Sequence, residues 1–259
     1  MATFTLLNTR PEHQAESLNK LLEAVDAQGI NCPVMQIKWL ANSIAHEAEI
    51  EPFDKAIFSS VNAVIGWHKQ AQPAMQKTLF NDVFAIGQAT QKKGLASGLA
   101  IQCLSDQQFD SEHLLAQPVM QQVANERIAL IKGLNGRSLL ADTLAQRGAT
   151  VVPIEVYQRV DSPFCEQAWL SFLEAEKPVL LVSSVESWLL LMKQLQDYYA
   201  DIATTQTLLK ASFWQNVLGV IVMSQRIANE IQQQGWQRPV VVVKTQSNDG
   251  IIKAAQTFV

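Results

Sequence analysis

The chain lacks most of the signatures by which a sequence declares its chemistry. It has no C-x-x-C pair, no G-x-G-x-x-G or G-x-x-x-x-G-K-[ST] loop and no G-x-S-x-G elbow, which removes the usual sequence signals for zinc, dinucleotide, nucleoside triphosphate and serine-hydrolase sites. Cysteine is scarce. Cys32, Cys103 and Cys165 are odd in number and far apart, which points to buried thiols in a reducing compartment. No apolar run approaches the roughly 18 residues of a membrane span, so no membrane partner is expected. The start, Met1-Ala2-Thr3-Phe4, opens into a strand-like run without a basic and apolar leader, and a soluble cytoplasmic protein is expected. The net charge of −4 supplies no bulk field for nucleic acid, so an anionic ligand must be held locally. His13, His46, His68 and His113 show neither ligand spacing nor a Cys or paired carboxylate partner; surface positions are expected for them, and no metal site.

What remains is a globular composition, 48% hydrophobic and 17% charged over 259 residues, enough for two domains or one large one. Strands alternate with helices. Phe4 to Pro11 reads as a strand entering a helix; Leu18, Leu21, Leu22 and Val25 then recur at helical spacing before Gly29, a C-terminal stop, and "CPVMQI" resumes as a strand. The plan returns with Ile128 to Ile131 as strand, Leu139, Leu140 and Leu144 as helix stripe, Gly148 as stop and then "VVPIEVYQRV". "IFSSVNAV" (Ile57 to Val64) echoes "LVSSVESW" (Leu181 to Trp188), each a strand ending in a serine pair before a helix. "VFAIGQATQKKG" (Val83 to Gly94) echoes "GVIVMSQRIANEIQQQG" (Gly219 to Gly235), each a strand, a small residue and a helix ending in glycine. This alternation implies βαβ crossovers and parallel sheets, and its duplication implies two similar α/β lobes. Periodicity leaves open whether the lobes divide near Val123 to Glu126 or whether the chain crosses between them twice.

Strand-to-helix turns lie at the C-terminal edge of a sheet, where open α/β folds bind ligands. Here they carry Thr9-Arg10, Ser59-Ser60, Gly87-Gln88-Ala89-Thr90, Lys132-Gly133 within "LIKGLNGRS", Ser183-Ser184 and Ser224. Taken singly, each serine is a helix cap, and the K-G-x-x-G-R loop is as much a solvated turn as an anion cradle aided by Lys132 and Arg137. Taken together they read as two rims of small hydroxyls and amide N–H groups. Tyr157, one of three tyrosines, interrupts an apolar strand and reads as a core or edge residue, while the six scattered tryptophans read as packing.

The ordered set "LNTRP", "IFSSVNAV", "FAIGQAT", "LIKGLNGR", "RGATVVPIEVYQR", "LVSSVES" and "VIVMSQRIANEI" resembles the uroporphyrinogen-III synthase family over essentially the whole chain. No single motif is specific; the order and spacing of all seven carry the match. The resemblance implies two α/β lobes, each a parallel sheet flanked by helices, joined by a two-stranded linker that acts as a hinge. Lobe one would be residues 1–37 with 161–259, lobe two 41–153, and the linker strands 34–40 and 154–160. It implies a cofactor-independent lyase of heme and tetrapyrrole biosynthesis. Such an enzyme closes hydroxymethylbilane, a linear tetrapyrrole with eight carboxylates, to uroporphyrinogen III, inverting ring D and losing water.

In that frame Tyr157 is the catalytic proton donor. Arg10, Ser60, Gly87, Thr90, Lys132, Gly133, Ser183, Ser184 and Ser224 meet the substrate, and no metal takes part. The resemblance further implies a monomer with at most a transient contact with hydroxymethylbilane synthase. Two departures weaken individual contacts. Ser224-Gln225-Arg226-Ile227 stands where the family often reads G-x-x-T, so no hydroxyl is available at Ile227, and Lys132 replaces a common arginine, trading a fork for a point charge. The rival reading is a non-catalytic two-lobed binding protein for a small polyanion, which would use the same helix ends.

Overall fold

The computed structural model describes residues 3–40, 52–70, 79–104, 110–136, 138–202 and 204–259; His46 and Arg137 lie outside them. The strands are β1 (Thr5–Asn8), β2 (Gln28–Asn31), β3 (Met35–Trp39), β4 (Phe53–Phe58), β5 (Phe80–Ala85), β6 (Ile101–Cys103), β7 (Arg127–Gly133), β8 (Thr150–Asp161), β9 (Pro178–Val182), β10 (Gly219–Val222) and β11 (Val240–Val242). The helices between them are α1 (Ala15–Glu23), α2 (Val61–Gln70), α3 (Gln88–Ala96), α4 (Ser111–Ala116), α5 (Pro118–Gln121), α6 (Leu139–Gln146), α7 (Glu166–Glu174), α8 (Val185–Tyr198), α9 (Thr205–Leu209), α10 (Gln225–Gln233) and α11 (Asn248–Ala255).

These elements form two compact units. Unit 1 is Met1–Gln36 with Val160–Val259, and unit 2 is Ile37–Arg159. The sheet of unit 1 runs β11-β10-β9-β1-β2 and is parallel throughout. The second sheet runs β3-β8-β7-β4-β5-β6, parallel from β8 to β6. Matching β9 with β4, β1 with β7, β2 with β8, β10 with β5 and β11 with β6 gives the same spatial order in both. The sequence echoes link β1 with β7, β9 with β4 and β10 with β5. The fold is therefore the expected twin α/β architecture, each repeat lending its first two strands and the helix between them to one sheet and its remainder to the other.

The central strands are apolar on both faces because both are covered, as a parallel sheet requires. Along β9, Val179 and Leu181 enter one core with Leu6, Leu18 and Ile251, while Leu180 and Val182 enter the other with Leu7, Trp188 and Trp214. Along β7, Ile128 and Leu130 face one layer and Ala129 and Ile131 the opposite one. The tryptophans at 67, 169, 188, 214 and 236 are buried, in keeping with packing roles. Trp169 meets Trp214 at 5.3 Å and Phe172 at 5.8 Å between centroids and donates its Nε1–H to Tyr199 Oη at 2.9 Å. Trp169→Ala is expected to cost about 3–5 kcal/mol, read as a lower urea midpoint with the slope retained.

Several local expectations are corrected. Gly29 does not end α1; it lies inside β2, where a Cβ would sit 2.5 Å from Asn19 Oδ1, and Asp26 takes the left-handed turn at φ 54° instead. "CPVMQI" is not one strand, since Cys32 to Val34 separate β2 from β3. Gly94 lies inside α3, packed on Ile101, and Gly98 at φ 84° follows the helix end. Gly148, at φ 88°, is the stop after α6 that the sequence placed there. Cys32 and Cys165 are not thiols. They form a disulfide with a Cα separation of 5.5 Å, because the end of β2 and the N-cap of α7 are brought together; Cys103 is half-buried and keeps its thiol.

Candidate functional site

In each unit the strand order reverses at one place. Connections from β1 and β9 run to opposite sides in unit 1, as do those from β4 and β7 in unit 2. The crevice beyond the C-terminal ends of such a strand pair is where open α/β sheets take ligands.

In unit 2, Ser59-Ser60 form the turn between the end of β4 and the start of α2. Ser60 Oγ accepts the Ala63 N–H at 3.1 Å and lies 3.1 Å from the Tyr157 hydroxyl, with either oxygen able to donate. Tyr157 comes from β8 through a bulge: Lys132 pairs with Glu155 but Gly133 pairs with Tyr157, leaving Val156 as the extra residue. Ile154, Val156 and Tyr157 therefore all join one core, and the bulge turns the phenol to the side of Ser60. Gly133 makes room for it. A Cβ there would sit 2.6 Å from Tyr157 Cζ, well inside contact distance. Trp39 meets the tyrosine ring edge-on at 6.4 Å, and only 5% of Tyr157 is exposed.

The loop after β7 folds back on itself. Gly136 N–H donates to Gly133 O at 3.2 Å with Asn135 at φ 58°, and Lys132 Nζ donates to Gly136 O at 3.2 Å, 4.0 Å from Glu155 Oε1. The loop cation is thus engaged by its own turn. One strand further out, Gly87 is an extended N-cap of α3 without a side-chain capping bond, and Thr90 is buried in the first turn.

In unit 1, Thr9 Oγ1 donates to Leu181 O at 2.7 Å, tying the turn after β1 to β9. Arg10 is buried. Its Nε donates to Asn8 Oδ1 at 3.1 Å, Nη1 to Asn248 Oδ1 at 3.1 Å and Nη2 to Gln14 O at 3.2 Å. Burial pushes the guanidinium pKa down from its ordinary value, and the pKa of the surface residue His13 is lowered by partial desolvation of its ring and then by the Arg10 charge. Ser184 caps α8 in a reciprocal box with Ser187, so its hydroxyl is already engaged, while Ser183 precedes it. Ser224 is the N-cap of α10, but its hydroxyl makes no capping bond.

The sequence model of uroporphyrinogen-III synthase HemD matches residues 16–253. The chain belongs to the uroporphyrinogen-III synthase family. It is 28% identical to the uroporphyrinogen-III synthase of Escherichia coli over 262 residues, 97% of this chain and 100% of the relative. It is 34% identical to that of Proteus mirabilis over 164 residues, 60% of this chain and 80% of the relative. Among solved structures, uroporphyrinogen-III synthetase from Helicobacter pylori matches with a TM-score of 0.63 at 15% identity over 100% of both chains. A mutant uroporphyrinogen III synthase from Thermus thermophilus matches with a TM-score of 0.58 at 16% identity, covering 98% of this chain and 100% of that one. These two likenesses speak for the fold. As a uroporphyrinogen-III synthase, the chain is a cyclising lyase of tetrapyrrole biosynthesis.

For a uroporphyrinogen-III synthase, the residues marked in the sequence fall into two groups. Ser60, Lys132, Gly133 and Tyr157 gather at the β4/β7 end, with Gly87 and Thr90 beside them beyond β5. Arg10, Ser183 and Ser184 gather at the β1/β9 end, with Ser224 beyond β10. Ile227, which lacks the hydroxyl common in the family, is a core residue at 2% exposure. Asn8 and Asn248 went unmarked; Asn8, an Asx residue at a strand end two before Arg10, carried a local signal, whereas Asn248 carried none. His13 and His68 are exposed as expected, whereas His113 is half-buried, with a single carboxylate oxygen, Asp110 Oδ1, 2.5 Å from Nδ1. Among the described residues, no group of three or more His, Cys, Asp and Glu could hold a metal, and no helix is long and apolar enough to cross a membrane.

Proposed function

We propose that the chain converts hydroxymethylbilane to uroporphyrinogen III and that Tyr157 delivers the proton that releases the ring A hydroxyl as water. Departure of water leaves an electrophilic azafulvene. The substituted carbon of ring D attacks it, and the resulting spiro intermediate fragments and recloses with ring D inverted. The pyrroles supply the electron density, so the protein contributes orientation and one proton. The single observation carrying the role of Tyr157 is its buried hydroxyl held 3.1 Å from Ser60 Oγ at the β4/β7 crevice.

The substrate carboxylates need donors. Unit 1 offers Arg10, the Ser183 hydroxyl, the Ser224 hydroxyl and the N-terminal amides of α8 and α10; unit 2 offers Gly87, Thr90 and the loop holding Lys132 and Gly133. Ser184, whose hydroxyl caps α8, acts through the backbone it fixes. The enzyme works as a cytoplasmic monomer that meets hydroxymethylbilane synthase at most in passing. Freshly prepared hydroxymethylbilane, followed by oxidation and separation of isomers, is expected to give type III porphyrin in excess. Type I alone, at the spontaneous rate, would instead favour a non-catalytic polyanion-binding protein.

A further inference from the structure

Arg10 is 7% exposed, and a charge so far from water requires compensation. A guanidinium has five N–H donors. Three are taken by Asn8 Oδ1, Asn248 Oδ1 and Gln14 O, all neutral acceptors. No carboxylate of the described residues forms an ion pair with Arg10. The plane of the guanidinium is thus fixed on three sides while its full charge persists. One N–H on each terminal nitrogen is left for a further acceptor, and a two-pronged donor of this kind suits a carboxylate.

The partners are themselves anchored. Asn8 Oδ1 also accepts the Arg10 backbone N–H at 3.2 Å, and Asn8 Nδ2 donates to Asn31 Oδ1 at 3.4 Å. Asn248 Nδ2 donates to Ser17 Oγ at 3.0 Å from the first residue of α11, a helix capped by Ser247 accepting the Gly250 N–H at 3.1 Å. An aspartate at position 8 or 248 would accept the same arginine hydrogen bonds but would cancel the charge. Asparagine holds the arginine without neutralising it.

We propose that Asn8 and Asn248 are positioning residues, a neutral clamp that keeps Arg10 both fixed and charged as a carboxylate subsite at the β1 end of unit 1. The inference rests on Arg10 being a carboxylate ligand and goes further by assigning the reason it can act as one.

The test is Asn248→Asp in the full chain. The carboxylate still accepts from Nη1, Ser17 can turn to donate, and a negative charge near a helix N-terminus is favourable, so the thermal midpoint should be unchanged or higher. KM for hydroxymethylbilane should nevertheless rise about tenfold, the worth of one charge-assisted hydrogen bond, with kcat little altered. A purely structural clamp predicts the same retained stability but an unchanged KM. Arg10→Gln separates the two layers of the argument. If it raises KM while Asn248→Asp does not, the neutral clamp is overturned and Arg10 stands as a ligand. If neither changes KM, nor the affinity for uroporphyrin measured by fluorescence titration, the reading of Arg10 falls as well. Should Arg10→Gln not fold, Arg10→Lys, which keeps the charge and loses the fork, takes its place with the same expected rise.

Discussion

Gly133→Ala is expected to reduce turnover of hydroxymethylbilane by at least about tenfold and to lower the thermal midpoint together with it. The added methyl would lie 2.6 Å from Cζ, 2.7 Å from Cε2 and 3.0 Å from Oη of Tyr157, and none of these atoms belongs to a flexible chain end. Ring and strand are both buried, so the clash is relieved only by displacing the tyrosine or opening β7 from β8, at about 1–3 kcal/mol. Either movement takes the phenol from Ser60. Steady-state kinetics beside a melting curve reads both effects, and a Gly133→Ala enzyme with wild-type kcat would show that the placement of Tyr157 does not matter to the reaction.

Tyr157→Phe isolates the hydroxyl. The ring keeps its packing against Trp39 and the core of unit 2, and Ser60 keeps the Ala63 N–H, so stability should fall by only about 1 kcal/mol. If the phenol protonates the departing hydroxyl, kcat should fall several-fold at least and up to about 10²-fold, the lower part of the range for a positioned proton donor because a phenol is a weak acid. The share of type I product should rise in parallel, since substrate that waits closes by itself. A variant with unaltered rate and unaltered isomer ratio would remove Tyr157 from the chemistry.

What could be read in the sequence was whatever is local. Strand-helix alternation, the twin serine turns and the glycine after α6 each depend on neighbours within one repeat, and each is found in the fold. Features set by distant partners were not legible. The bulge at Val156 that re-aims Tyr157 is a property of the β7/β8 register, and nothing in "VPIEVYQRV" alone announces it. The Cys32–Cys165 disulfide spans a sequence separation of 133, and the bond from Arg10 to Asn248 joins the two ends of the chain. The serines illustrate the same limit at short range. Ser60, Ser184 and Ser224 look alike in their turns, yet the first two cap their helices and the third does not.

The interrupted course of unit 1 bears on biosynthesis. On the ribosome β1 emerges about 170 residues ahead of β9, the neighbour that completes its other edge, a delay on the order of ten seconds at ordinary elongation rates. Ile37–Arg159 is continuous and can condense during that interval, whereas the opening β1-α1-β2 segment must wait with strand edges bare. The nascent enzyme is therefore most exposed to misassociation while its middle is already folded, and it is the late arrival of the C-terminal strands that makes the opening segment safe.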